Sequence, residues 1–185
     1  MKVLYPSFAN PETWRHNIVE EISKDEWKIL RLEILKRDDY TCQYCGFRAE
    51  KWQIVHHIDG NPNNNKETNL ETVCQMCNLI HHAGQGCVVQ GIVDLYKKSN
   101  FSQNEIIQIT RNMRAEGKSD EKIIAHLGLN EKVPFKMNKN YLKELFGFVT
   151  SRKAEQDWTQ KSLEYGYEVQ IIKEEKPNQS LSNFF

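Results

Sequence analysis

VHHIDGNPNNNKETNLETVCQMCNLIHH, residues 55–82, carries four of the chain's six histidines and two of its five cysteines. WQIVHHI, just upstream, alternates as a strand does. GNPNNNKETN breaks either periodicity with glycine, proline and asparagine, so it reads as a loop. LETV is short and extended. QMCNLIHHA reads as a helix that is stopped near Gly84 and Gly86. The order is strand, loop, strand, helix.

That order suggests a metal site. His56 closes the strand. On the helix, Asn78 and His82 are four residues apart and share a face; His81, three from Asn78, competes for the same role. Imidazole nitrogen and amide oxygen both bind divalent metals, and a set of neutral ligands leaves the metal's charge available to a phosphate. His57 is then free to take a proton from water as a general base. Neighbours on a regular strand face opposite ways, so this arrangement requires the strand to end or twist at the pair, which Asp59-Gly60 would permit. Asn69, in the last turn of the loop, can hydrogen-bond backbone across the loop and fix the orientation of His57.

Cys42 and Cys45, in CQYC, and Cys74 and Cys77, in CQMC, form two Cys-x-x-Cys pairs. Two such knuckles aim four thiolates at one point, the pattern of a structural Zn2+ site. Cys87 is left over and reads as a buried free thiol.

From RDDYTCQYCG to the helix, roughly Arg37 to His82, the chain resembles the zinc-bearing branch of the HNH endonucleases, which have the ββα-metal fold. The resemblance implies an α+β protein with a small HNH core. It implies His57 as general base, Asn69 as the central asparagine, and His56, Asn78 and His82 as ligands of a catalytic Mg2+ or Mn2+. Many of that branch carry histidine where this chain has Asn78. The function expected is metal-dependent hydrolysis of DNA phosphodiesters; one site cuts one strand, so double-strand cleavage would need a homodimer or two visits. The alternative is a non-catalytic zinc module that binds DNA or a clamp.

The flanks fill out the organisation. The formal net charge is zero and the chain is 39% hydrophobic; it lacks an apolar run long enough to span a bilayer or a signal-peptide core, so an intracellular protein without membrane contact is expected. Residues 1–22 read as an irregular extension and 23–90 as the nuclease domain, opened by a capping box at Ser23 and Glu26. Residues 91–155 read as a helical region: GIVDLYKKS, EIIQITRNMRAEG, DEKIIAHLG and KNYLKELFGFV, the middle pair with the rhythm of a helix-turn-helix. Lys136, Lys139, Lys143 and Arg152 make its end basic and suit phosphate contacts. Residues 156–185 read as a tail ending in NQSLSNFF. There Leu181, Phe184 and Phe185 resemble the motif that docks on PCNA-type sliding clamps.

Overall fold

The computed structural model describes residues 1–9 and 22–153. The tail with Leu181, Phe184 and Phe185, and much of the N-terminal extension, lie outside the described residues. Helix α1 (Lys24–Arg37) starts at the expected capping box: Ser23 and Glu26 hold each other's backbone N–H. It is followed by the first knuckle, β1 (Ile54–His57), β2 (Leu70–Val73) and α2 (Gln75–His81). β1 and β2 pair antiparallel in the register Ile54↔Val73, Val55↔Thr72, His56↔Glu71, His57↔Leu70.

Strand alternation sorts this hairpin into two faces. Val55 and Leu70 pack on one side against Ile34 and Leu35 of α1; each such fully buried side chain contributes about 1.5–3 kcal/mol. Ile54 and Val73 face the other way, into a core shared with the four cysteines, Leu79 and Ile80. The end of α1 is pinned to β2 by charge. Arg37 donates to the carbonyls of Glu67 and Leu70 at 2.8 Å each, and Asp38 accepts the Thr72 N–H at 2.8 Å.

The region after residue 90 corrects the expectation of an all-helical module. GIVDLYKKS is β3 (Val93–Lys98), not a helix. Its first four positions are buried on both faces, so the sequence shows no alternation to mark it as a strand. α3 (Gln103–Ala115) and α4 (Asp120–Leu127) form where expected, with Ser102 capping α3. Gly128 ends α4 in the left-handed region at φ 63°. KNYLKELFGFV does not form one helix. The chain forms β4 (Asn130–Val133), a five-residue α5 (Lys139–Lys143) and β5 (Phe146–Val149). Phe146–Val149, the end of KNYLKELFGFV, is strand and not helix. It pairs with β3 instead, giving an antiparallel sheet in the order β4-β3-β5.

The ββα unit and this sheet share a core. Ile92, Val93, Ile107 and Val149 belong to the same buried cluster as the cysteines. Gly147 is what lets α2 approach β5: a Cβ there would lie 2.6 Å from Ile80 Cδ1. Gln103 holds both polar groups of Gly147, accepting its N–H at 2.6 Å and donating to its carbonyl at 2.8 Å. Residues 1–9, read from sequence as irregular, form a strap over the joint. Lys2 N–H bonds Gln43 in the first knuckle, Ser7 N–H bonds Ile80, and Ala83 N–H bonds Ser7. Asn104 of α3 ties the strap by three hydrogen bonds, to Leu4 N, Lys2 O and Tyr44 O.

Candidate functional site

The four cysteines form one buried cluster whose sulfurs lie within 4.8 Å of one another. Cys45 Sγ and Cys74 Sγ are 3.6 Å apart. A tetrahedral site with Zn–S bonds of ~2.3 Å places sulfurs roughly 3.8 Å apart, so the donor set fits structural zinc. One partner was invisible in sequence. Arg111 of α3 donates to Cys74 Sγ at 3.1 Å and Cys45 Sγ at 3.5 Å, and its guanidinium lies 3.8 Å over the Phe47 ring. Its cation offsets negative charge on the sulfurs and couples the cysteine cluster to the second sheet's helices. Cys87 is half-buried, with its thiol pushed up to about 12 by burial first and by Asp94 second.

The histidines divide between two places. His56 is buried on the α2 face of the hairpin. Its ring stacks on His81 at 4.7 Å and meets His82 edge-on at 5.1 Å, with the Asn78 side chain alongside. The structure therefore brings His56, Asn78 and His82 together, and adds His81. Burial first, then the neighbouring imidazoles, pushes His56 down to about 3. Burial followed by His82 takes His81 to about 4, and burial followed by His56 takes His82 to about 3. All three rings are neutral at pH 7. They open onto a cavity of about 270 Å³ that Tyr5, Ser7, Asp59, Lys139 and Lys143 also line.

His57 is elsewhere. β1 stays regular through the pair, with His57 opposite Leu70, so alternation turns His57 to the α1 face. There it stacks on Trp27, centroids 5.7 Å apart and planes 9° apart, and its Nε2 lies 3.0 Å from Asn65 Oδ1. It is not among the residues lining the cavity. Asn69 does bridge the loop as its position suggested. Its Oδ1 accepts the Asp59 N–H at 3.1 Å, and its Nδ2 donates to Asp59 Oδ1 and Asn64 O at 2.9 Å each. His57 is oriented directly by Trp27 and Asn65 instead.

The basic residues are also separated. Lys139 and Lys143 face the histidine cavity, lying 5.8 Å from the Phe8 ring and 5.3 Å from the Tyr5 ring respectively. Lys136 sits 5.3 Å over Tyr141. Arg152 is committed internally, with Nη2 2.7 Å from Asp94 Oδ1 and Nε bonded to Gly91 O.

No protein-family model matches the chain. Over 69 residues it is 39% identical to the type 4 apparatus protein DotN of Legionella pneumophila, a stretch that is 37% of this chain and 32% of that protein. The chain thus matches about a third of the relative's length. This similarity overturns the expectation of a metal-dependent DNA endonuclease: the relative is named as a component of an apparatus, not as a nuclease. The catalytic Mg2+ or Mn2+ expected at His56, Asn78 and His82 loses its support with it. Among the described residues no helix is long and apolar enough to cross a membrane.

Proposed function

We propose that the chain is a zinc-stapled docking module that works within a larger protein assembly and does no hydrolytic chemistry, its ββα unit being an HNH-like scaffold put to a binding use. The position of His57 carries this reading. A general base has to reach the water it activates, yet this ring is stacked on Trp27 and stands apart from the cavity of the other three histidines. The DotN similarity supports an assembly role.

The surface supports a protein partner over DNA. Trp52 is 89% exposed and sits at φ 69°, a backbone region bulky residues rarely adopt. Such strain persists only where the surroundings hold it, and it clusters at functional positions. Tryptophan is also the side chain most enriched at the energetic centres of protein interfaces. Ile29 and Leu32 add exposed apolar surface on α1. Of the basic residues expected to grip phosphates, Arg152 is paired with Asp94.

The test is purification of the tagged full chain from its own host, with a plasmid-cleavage assay on the same preparation. The reading expects stoichiometric partner proteins that are lost with Trp52→Ala, and no metal-dependent cleavage. A monomer without stoichiometric partners would refute the assembly role. Cleavage abolished by His57→Ala would refute the non-catalytic one.

A further inference from the structure

We infer that the N-terminal strap binds by strand addition: residues 3–5 present an open backbone edge on which an extended, acidic segment of a partner protein pairs. The existence of a protein partner is taken from the docking role, but the surface is a different one from Trp52.

The strap is bonded along one edge only. The Lys2 N–H donates to Gln43 O at 2.9 Å. The Lys2 carbonyl accepts from Asn104 Nδ2 at 2.7 Å, and the Leu4 N–H donates to Asn104 Oδ1 at 2.9 Å. In an extended chain the N–H and C=O of one residue point to the same side, and those of its neighbours point to the other. The backbone groups of Val3 and Tyr5 are therefore turned away from the knuckle and α3, and among the described residues no hydrogen bond uses them. The side chains alternate as well. Leu4 and Pro6 are buried, whereas Val3 is 79% exposed and Tyr5 is exposed beside it. The open stretch ends at Pro6, because Ser7 is already bonded to Ile80 and Ala83.

An unpaired edge is a template for a further strand, and proteins ordinarily blunt it with charge, proline or a covering element. The sheet does so at both ends. Gln103 holds both polar groups of Gly147 in β5, and β4 carries Asn130, Glu131 and Lys132. The strap instead shows an apolar row of Met1, Val3 and Tyr5. Charge then selects what pairs there. Lys143 Nζ lies 5.3 Å from the Tyr5 ring and Lys139 Nζ 5.8 Å from the Phe8 ring; among the described residues neither lysine has an ion-pair partner. The carboxylates nearby are taken, Glu71 by Lys2 and Tyr44, and Asp59 by Asn64 and Asn69. The complementary segment alternates acidic with apolar side chains. Its main chain supplies affinity and its alternate side chains supply specificity, as in other strand-addition complexes.

The probe is a fluorescein-labelled hexapeptide of alternating glutamate and valine. It is titrated by anisotropy into the full zinc-loaded chain, and hydrogen exchange is read on the same complex. The expected result is saturable binding that slows exchange at the Val3 and Tyr5 amides. N-methylation of alternate peptide nitrogens removes the donors of one peptide edge at a time. One of the two isomers should bind about tenfold more weakly, and the other like the parent. Exchanging glutamate for lysine in the peptide should also weaken binding, as should Lys139→Gln combined with Lys143→Gln. Trp52→Ala should bind the peptide as wild type does, so a failure of the docking role at Trp52 is read separately. Strand addition is overturned if the acidic peptide does not bind at millimolar concentration, if both methylated isomers bind like the parent, or if protection falls on β4. A lysine peptide that binds as well as the acidic one overturns the choice of partner. Val3 and Tyr5 amides already protected in the free chain overturn it too, because the occupant would then be a segment of this chain.

Discussion

Asn104→Ala should detach one end of the N-terminal strap, and the size of the effect follows from three hydrogen bonds. The amide Oδ1 accepts from Leu4 N at 2.9 Å, while Nδ2 donates to Lys2 O at 2.7 Å and Tyr44 O at 2.6 Å. Leu4 is only 2% exposed, so water cannot readily replace the partner of its N–H, and the loss there costs about 1–3 kcal/mol. Tyr44 O is partly buried and adds roughly 1 kcal/mol. Lys2 O is exposed, and solvent takes the amide's place. The expected destabilisation is about 2–4 kcal/mol, read by urea unfolding of the zinc-loaded protein. Hydrogen exchange gives the sharper readout. The Leu4 amide should lose protection, whereas Ser7, which donates to Ile80 O at 3.0 Å, should keep most of its own. A stability change under about 1 kcal/mol, with Leu4 protection unchanged, would refute the view that Asn104 ties the strap to α3 and the first knuckle.

Arg111→Met removes both donors to the zinc thiolates and should speed zinc transfer to a colorimetric chelator by about 10–100-fold; an unchanged rate would show that the guanidinium does not stabilise the cluster. Gly147→Ala should cost about 1–3 kcal/mol by overpacking against the fully buried Ile80. Adding Ile80→Val, which removes the clashing Cδ1, should recover part of that loss in a double-mutant cycle. Asp38 titrates below the usual carboxylate range. Burial opposes this, but hydrogen bonds from Arg37 and the Thr72 N–H outweigh it. Because the folded value lies below the unfolded one, Asp38 contributes stability above about pH 4, and that contribution fades as pH falls through the folded value. The stability gap between wild type and Asp38→Asn, followed by urea unfolding, should therefore narrow as pH falls below about 4; a constant gap would remove the ionised carboxylate from the account.

Local chemistry was legible in the sequence wherever neighbours along the chain decide it. The Cys-x-x-Cys pairs announced their cluster because a knuckle brings its two sulfurs together by itself. The capping box at Ser23, the loop around Gly60 and Pro62, and the extents of α3 and α4 follow from backbone preferences that each segment carries alone. Two strands, β3 and β5, were hidden because burial on both faces erases the alternation that marks a strand. Phe146–Val149 read as helix for the same reason.

Which way side chains point was settled only when the strands paired. Adjacent histidines suggested one shared site. The register His56↔Glu71 and His57↔Leu70 sends one to α2 and the other to Trp27, because pleating alternates side chains and no bulge interrupts it. Arg111 over the thiolates, Lys2 on Glu71, and Lys139 and Lys143 beside the imidazoles join residues from about 35 to 90 positions apart, and no local pattern encodes such meetings. They arise because the cysteine-bearing core and the second sheet bury apolar faces against each other, and that packing chooses the polar groups that meet at its rim.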